Sequence, residues 1–204
     1  IDMKKLLLSI ILFVLAIPVI SAMTASEILD KAASKINSAK SITAEYTISA
    51  ASNKEKGTLI LASGKFTLTS GSLRSWFDGL TLWTYSPAMG EVNITNPTAE
   101  ELADINPFAV INAHKQNYRS ALLSSEKNIY KIDLTPVKKG MAFSKATVIL
   151  DAATYLPKEI ILTMPDKSKI EIAIDKVTTG NTINSRTFVF DPSYAPDAEI
   201  VDLR

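Results

Sequence analysis

The chain is predicted to be mainly β, of the α+β class, with one large curved antiparallel sheet wrapped around the few helices it buries. Three observations lead there. Ten or eleven segments read as strands, most of them with a single apolar face. Only two or three helices accompany them, too few to cover a flat sheet of that size, so the sheet must curl over them. Residues 73–95, LRSWFDGLTLWTYSPAMGEVNIT, spell three strands and two tight turns with little competition. A two-sheet sandwich is the alternative, but helices breaking the strand run in mid-chain fit it poorly.

The 204 residues, 47% hydrophobic and 21% charged, suit one globular domain able to bury a sizeable core. Residues 1–22 read as a secretory signal peptide behind an upstream remnant, Ile1-Asp2. Met3-Lys4-Lys5 supplies the charge, residues 6–16 the apolar run, and Ser21-Ala22 after Pro18 the small-residue cleavage site. A transmembrane anchor is the competing reading, but the run is short for a span of about 20 residues. Cleavage near Ala22 would leave residues 23–204 as a single soluble domain. The chain has no cysteine, so it can form neither a disulfide framework nor a lipid-accepting thiol after the leader. Losing Lys4, Lys5 and Asp2 leaves 20 basic residues of 22 and 20 acidic residues of 21. That balance, without a basic cluster, argues against nucleic acid or an anionic membrane surface as the main partner.

Thr24 and Glu27 make a capping box ahead of Ile28, Leu29, Ala32, Ala33, Ile36 and Ala39, which predicts an amphipathic helix over residues 25–39. Residues 42–50 alternate as a strand buried on one face, and 53–56 form a charged turn. Residues 57–62 and 65–69 make the next pair, broken at Ser63-Gly64. In the meander, Asp78-Gly79 supplies the two φ > 0 positions of a type I′ hairpin, and Pro87 with Gly90 turns the chain into residues 91–95. This meander is expected in the middle of the sheet.

Thr98 and Glu101 open a second capped helix carrying Leu102 and Ile105. Asn106 as N-cap and Pro107 at the first helical position then restart it as a short piece to about His114. Phe108, Ala109, Val110, Ile111 and Ala113 make that piece apolar nearly all round, so it must be buried. Strands follow at 118–123, 128–135, 144–151, 158–164, 168–175 and 187–190, and residues 194–204 are an extended strand or ordered tail.

Catalytic chemistry has little to work with. His114 is the single histidine, read as a solvated residue near a helix end. Without cysteine there is no Ser-His-Asp, Cys-His or His-rich metal constellation. Gly57 through Gly64-Lys65 has the wrong gap for a phosphate loop, with Phe66 where a magnesium-binding hydroxyl would stand. Asp78 and Asp151 fall at turns. Neither a metal nor another cofactor is expected. What stands out is the apolar inventory, Phe66, Trp76, Phe77, Trp83, Tyr85, Phe108, Phe143, Phe188 and Phe190. Such residues either fill a dry core or line a groove in which acyl chains gain about 0.8 kcal/mol per buried CH₂.

Several segments, in order, resemble the periplasmic outer-membrane lipoprotein carriers. They are the N-terminal helix, Gly57-Thr58-Leu59-Ile60-Leu61 followed by Phe66, Asp78-Gly79-Leu80-Thr81-Leu82-Trp83-Thr84-Tyr85-Ser86-Pro87, Asn106-Pro107-Phe108-Ala109-Val110-Ile111, Leu134-Thr135-Pro136 and Phe188-Val189-Phe190. The resemblance spans roughly residues 25–192. It implies a half-open β-barrel with helices over its concave face. It also implies acylated lipoproteins as cargo, an inner-membrane lipoprotein-releasing complex as donor, an outer-membrane acceptor, and a monomer. One departure is Ser63-Gly64, where the carriers have an Arg-Pro pair whose arginine holds the lid; a serine cannot supply that forked cation.

The expected acyl-chain contacts are Leu59, Leu61, Phe66, Leu68, Trp76, Trp83, Tyr85, Phe108 and Ile111, and Ser63, Pro107 and Phe108 form the expected lid. Three functions are weighed: a carrier shielding lipoprotein acyl chains between the two membranes, a periplasmic sensor or scaffold of the same fold binding lipid or misfolded protein, and a secreted hydrolase.

Overall fold

The computed structural model describes residues 22–106, 108–126 and 128–204. Residues 1–21, where the signal peptide is expected, and Pro107 of the expected lid lie outside the described residues.

Helix α1 (Ala25–Ser38) begins where the capping box places it. Glu27 N–H donates to Thr24 Oγ1 at 3.2 Å and Thr24 N–H to the Glu27 carboxylate at 2.8 Å. Six strands follow: β1 (Ile42–Ala50), β2 (Asn53–Ala62), β3 (Lys65–Ser70), β4 (Leu73–Phe77), β5 (Leu82–Ser86) and β6 (Glu91–Thr95). The chain then crosses in three short helices, α2 (Ala99–Ile105), α3 (Ala109–Asn112) and α4 (His114–Asn117). The second meander is β7 (Tyr118–Ser124), β8 (Ile129–Pro136), β9 (Lys145–Asp151), β10 (Pro157–Thr163) and β11 (Lys169–Thr179), with β12 (Glu199–Asp202) last.

All twelve strands belong to one open sheet, in the order β12-β6-β5-β4-β3-β2-β1-β11-β10-β9-β8-β7. The two meanders join where β1 pairs antiparallel with β11, from Ile42 opposite Thr179 to Ala50 opposite Ile170, with a bulge at Glu45/Tyr46. Every other pairing is antiparallel except β12 with β6. Because side chains alternate across a strand, the register sorts them into rows on two faces. One face is covered by the helices. On its β7–β10 half, Ile28 and Leu29 of α1 and Val110 and Ile111 of α3 pack with Ile132, Val148 and Leu150. On the β1–β5 half the cover is thinner, Phe108 with half-buried Leu102 and Ile105 of α2.

Several details differ from the sequence reading. The meander β4–β6 forms one flank of the sheet, and β1 with β11 its middle, because the second meander adds on the far side of β1. Residues 53–56 are the exposed start of β2, and the chain turns at Ala51-Ser52, between the paired Ala50 and Asn53. At Asp78-Gly79 only the glycine has positive φ. The Asp78 carboxylate accepts the N–H groups of Leu80 and Thr81 at 2.9 and 2.8 Å, making a four-residue loop in place of a type I′ turn. Phe188-Val189-Phe190 is not a strand. Residues Ser185–Phe188 form a 3-10 turn, lying across the sheet instead of beside a partner strand. The tail does yield a strand, β12, taking the total among the described residues to twelve.

His114 is not solvated. It is 4% exposed, its Nδ1 donates to the Ile111 carbonyl at 2.8 Å, and its Nε2 stands 3.4 Å from an Asp30 oxygen without hydrogen-bond geometry. The helical piece it belongs to runs on to Asn117, so the ring is folded in under α1 instead of marking a free end.

Candidate functional site

The helix-covered, concave face of β1–β5 carries three parallel rows of side chains. The innermost joins Leu61, Phe66, Phe77 and Leu82, with the Phe66 and Phe77 ring centroids 5.2 Å apart. The middle row is Leu59, Leu68, Ser75 and Thr84; the outer row is Gly57, Ser70 and Leu73. Helices α2 and α3 lie over the innermost row, and the other two are left with open space above them.

That space is a cavity of about 330 Å³, lined by Leu68, Ser70, Leu73, Ser75 and Thr84 on one side and by Ile48, Leu162, Ile170 and Ile172 across the β1–β11 junction. Tyr46 lies along its floor and Ile105 of α2 closes it at one end. Among the described residues no charged side chain lines it. Its volume falls at the small end of the range of about 300–1,000 Å³ usual for ligand sites, and its lining is mostly apolar with a few polar groups, as such sites require. A second cavity of about 300 Å³ opens beneath α2 and α3, lined by Leu61, Phe66, Phe77, Leu102, Ala109 and Ala113 among others.

Tyr46 owes its place to Gly57. Its ring covers that glycine, where a Cβ would collide with two ring atoms, and its hydroxyl donates to the Thr69 carbonyl at 2.6 Å. Burial pushes the phenol pKa up to about 12. The floor is therefore a fixed aromatic surface with no free polar end.

The structure brings some of the expected contacts together and separates others. Leu68 lines the main cavity; Leu61 and Phe66 line the second; Leu59 is buried beside them. Phe108 is buried between α2 and the sheet with Leu59, Phe66 and Phe77, whereas Ile111 faces the α1 half. Ser63, at positive φ, shares a small cleft with Asn106, Phe108 and Asn112. Trp76, Trp83 and Tyr85 stand on the opposite, convex face, separated from the cavity by the sheet itself. There Trp76 packs against Phe190 and Tyr194, at 5.3 and 5.2 Å between ring centroids, and Tyr85 against Tyr194. The segment after β11 covers them, and Thr67 Oγ1 ties it down through the Thr187 carbonyl at 2.5 Å.

Ile48, Ile105, Leu162, Ile170 and Ile172 were not expected at a site. Their strand alternation is visible, but only the β1–β11 pairing sets Ile48 opposite Ile172 and so makes them one wall. Among the described residues no group of three or more His, Asp or Glu side chains converges as a metal site would require, and no helix is long and apolar enough to cross a membrane.

The model of the family described as "Outer membrane lipoprotein carrier protein LolA" matches residues 16–165, well over half of the chain. The chain belongs to this family. No curated protein sequence matches it. Among solved structures, an uncharacterized conserved protein from Thermus thermophilus superposes with a TM-score of 0.61 at 12% identity, covering 87% of this chain and 98% of that one. A DUF1329 family protein from Desulfovibrio piger gives 0.51 at 10% identity, covering 85% and 100%. At such identities these two share the fold with this LolA-family chain, an open curled sheet with few helices.

Proposed function

We propose that this LolA-family protein is a periplasmic carrier that takes up the acyl chains of lipoproteins and shields them between an inner-membrane donor and an outer-membrane acceptor. The observation that carries the reading is the uncharged cavity on the concave face, walled by Leu68, Ile48, Leu162, Ile170 and Ile172. A chain entering it exchanges water for aliphatic side chains at about 0.8 kcal/mol per buried CH₂. Such burial is non-directional and needs no catalytic group, so the protein acts by binding and not as an enzyme. The small resting volume suits one chain segment, and further chains enter as α2 and Phe108 lift from the second cavity. The lid is thus α2 with the Asn106–Phe108 joint, and Ile105 is the residue of the lid that meets the cargo first.

A sensor or scaffold that holds lipid without passing it on is the second reading, and one observation favours it. Among the described residues the Ser63 hydroxyl makes no hydrogen bond to the α2–α3 joint beside it, so Ser63 does not supply the latch that the carriers place at this turn.

The test is a photo-crosslinking residue at position 105, with position 169, exposed on the edge of β11's outer face, as control. The carrier reading expects crosslinks to lipoproteins at 105 and none at 169, and acylated protein in mass spectra of material purified from the periplasm. Free lipid alone at 105 supports the sensor; equal capture at both positions overturns the cavity as the site.

A further inference from the structure

One wall of the main cavity is polar in a way an acyl chain alone does not call for. Ser75 is 1% exposed and points into the cavity from the middle row, where its Oγ lies 3.2 Å from Thr84 Oγ1. Two hydroxyls sharing one hydrogen bond commit one of their two protons. Whichever donates, the other keeps an O–H that no protein group receives. A cross-strand Ser–Thr pair supports the sheet on its own account. Yet at inward positions of a mostly apolar cavity, valine would suit both strand and cavity better. Ser75 is buried and Thr84 half-buried, so a proton left on Ser75 is costly unless something accepts it, and one left on Thr84 faces the cavity. Tyr46 does not take the spare proton: the one hydrogen bond of its hydroxyl is the one it donates to the Thr69 carbonyl, and neither Ser75 nor Thr84 bonds to it.

The pair also sits at an informative depth. Leu73, 38% exposed, marks the rim on β4, and Ser75 is two residues further in, about 7 Å along the strand. Beyond it lie Phe77 and the innermost apolar row. A group held at Ser75 and Thr84 therefore has its hydrocarbon running over Leu68 toward the wall of Ile48, Ile170 and Ile172, and its polar remainder at the Leu73 rim.

Resting on the reading of this cavity as an acyl site, we propose that Ser75 and Thr84 form a carbonyl-binding subsite and that the cavity selects neutral, ester-linked acyl chains over free fatty acids. An ester carbonyl accepts the spare hydroxyl proton and brings no charge. An ionised carboxylate would lose its hydration in a cavity that offers no cation and a single donor proton. The subsite reads the linkage, and the apolar walls read the chain.

Displacement of a bound solvatochromic dye by three probes with ten-carbon chains, each held below its aggregation concentration at pH 8, tests this. They are 1-decanoylglycerol, its ether analogue 1-O-decylglycerol, which lacks only the carbonyl, and decanoate. The ester should displace the dye at about three- to tenfold lower concentration than the ether, the range one net hydrogen bond supplies, and decanoate should be the weakest. In the variant carrying Ser75→Ala and Thr84→Val the ester and ether should become equal; Thr84→Val alone, close in shape to the parent, serves if the double variant does not fold. Equal ester and ether in the parent protein, an ester preference that survives the substitutions, or decanoate as strong as the ester overturns the subsite while leaving the acyl cavity standing. Failure of all three probes to displace the dye overturns the acyl reading itself, and the subsite with it.

Discussion

Tyr46 and Gly57 form a unit that neither residue could form with another partner. The ring lies where a Cβ on residue 57 would be, and its hydroxyl reaches across β2 to the Thr69 carbonyl of β3. Because burial raises the phenol pKa to about 12 against about 10 in an unfolded chain, the unfolded state releases this proton first as pH rises. The stabilisation is complete below pH 10 and is lost as pH climbs toward 12. Tyr46→Phe should therefore lower stability near neutral pH by about 1 kcal/mol, the typical net worth of one hydrogen bond, and should flatten the decline between pH 10 and 12. Urea midpoints across that range check it, and a parallel decline in parent and variant would count against Tyr46 as the group responsible. Phe108 is the second residue to test. It fills the joint between α2 and the sheet, so Phe108→Ala should cost about 3–5 kcal/mol, as for other buried aromatics. It should leave dye affinity equal or higher, since the cleared space adds to the second cavity. A fall in affinity matching the fall in stability would show that Phe108 shapes the cavity and does not cover it.

Among the elements, α2 is the one whose stability the proposed lid role makes a test of function. It has seven residues, too few to persist without help, and its help is visible. Thr98 Oγ1 accepts from Glu101 N–H, and the Glu101 carboxylate accepts Thr98 N–H at 2.7 Å. The Thr98 backbone N–H and, second, the Thr98 hydroxyl, which donates to the same carboxylate at 3.0 Å, hold the Glu101 carboxyl below its usual range. At the other end Asn106 N–H donates to the Leu102 carbonyl at 2.8 Å. Thr98→Ala removes the cap at a cost of about 1 kcal/mol. The expected result is a dye association rate several-fold faster, measured by stopped flow, with the thermal midpoint lowered by only a few degrees. Thr24→Ala, which breaks the matching box on α1, should lower the midpoint without changing the rate, because α1 covers the other half of the sheet. Equal rate changes in both variants would remove α2 as the lid.

At the scale of the whole molecule the sheet needs covering on two sides, and different stretches of chain do it. The helices cover the concave face; residues 180–204 cover the β3–β6 part of the convex one. That segment leaves β11 by the Ser41 and Gly180 contacts, passes over Trp76, and ends as β12 alongside β6. It shields an aromatic patch in which Arg74 lies over both the Trp76 and Tyr194 rings, and it caps a sheet edge that would otherwise invite pairing. A chain ending at Thr179 should show red-shifted tryptophan emission and self-association on size-exclusion chromatography. Unchanged emission with monomeric elution would mean that the segment is an appendage.

Much of this was legible from local pattern. The two capping boxes, the alternation of residues 42–50 and the apolar piece after Asn106 are short-range signals, each set by hydrogen bonds or periodicity within a few residues, and each appears where read. Alternation also specifies that Trp76, Trp83 and Tyr85 share a face and that Phe66, Phe77 and Leu68 share another. It does not say which face closes over the helices. Strand β4 carries Trp76 and Phe77 side by side, apolar on both faces, and the segment that makes one face convex and covered comes from more than a hundred residues away. The same distance hides the cavity. Ile48 and Ile172 become one wall only through the β1–β11 pairing, and the spare hydroxyl of the Ser75–Thr84 pair acquires meaning only once α2 leaves the middle row open. Patterns in the chain thus decide which residues share an element and a face. Long-range pairing decides which face encloses space, because that depends on what the rest of the chain leaves uncovered.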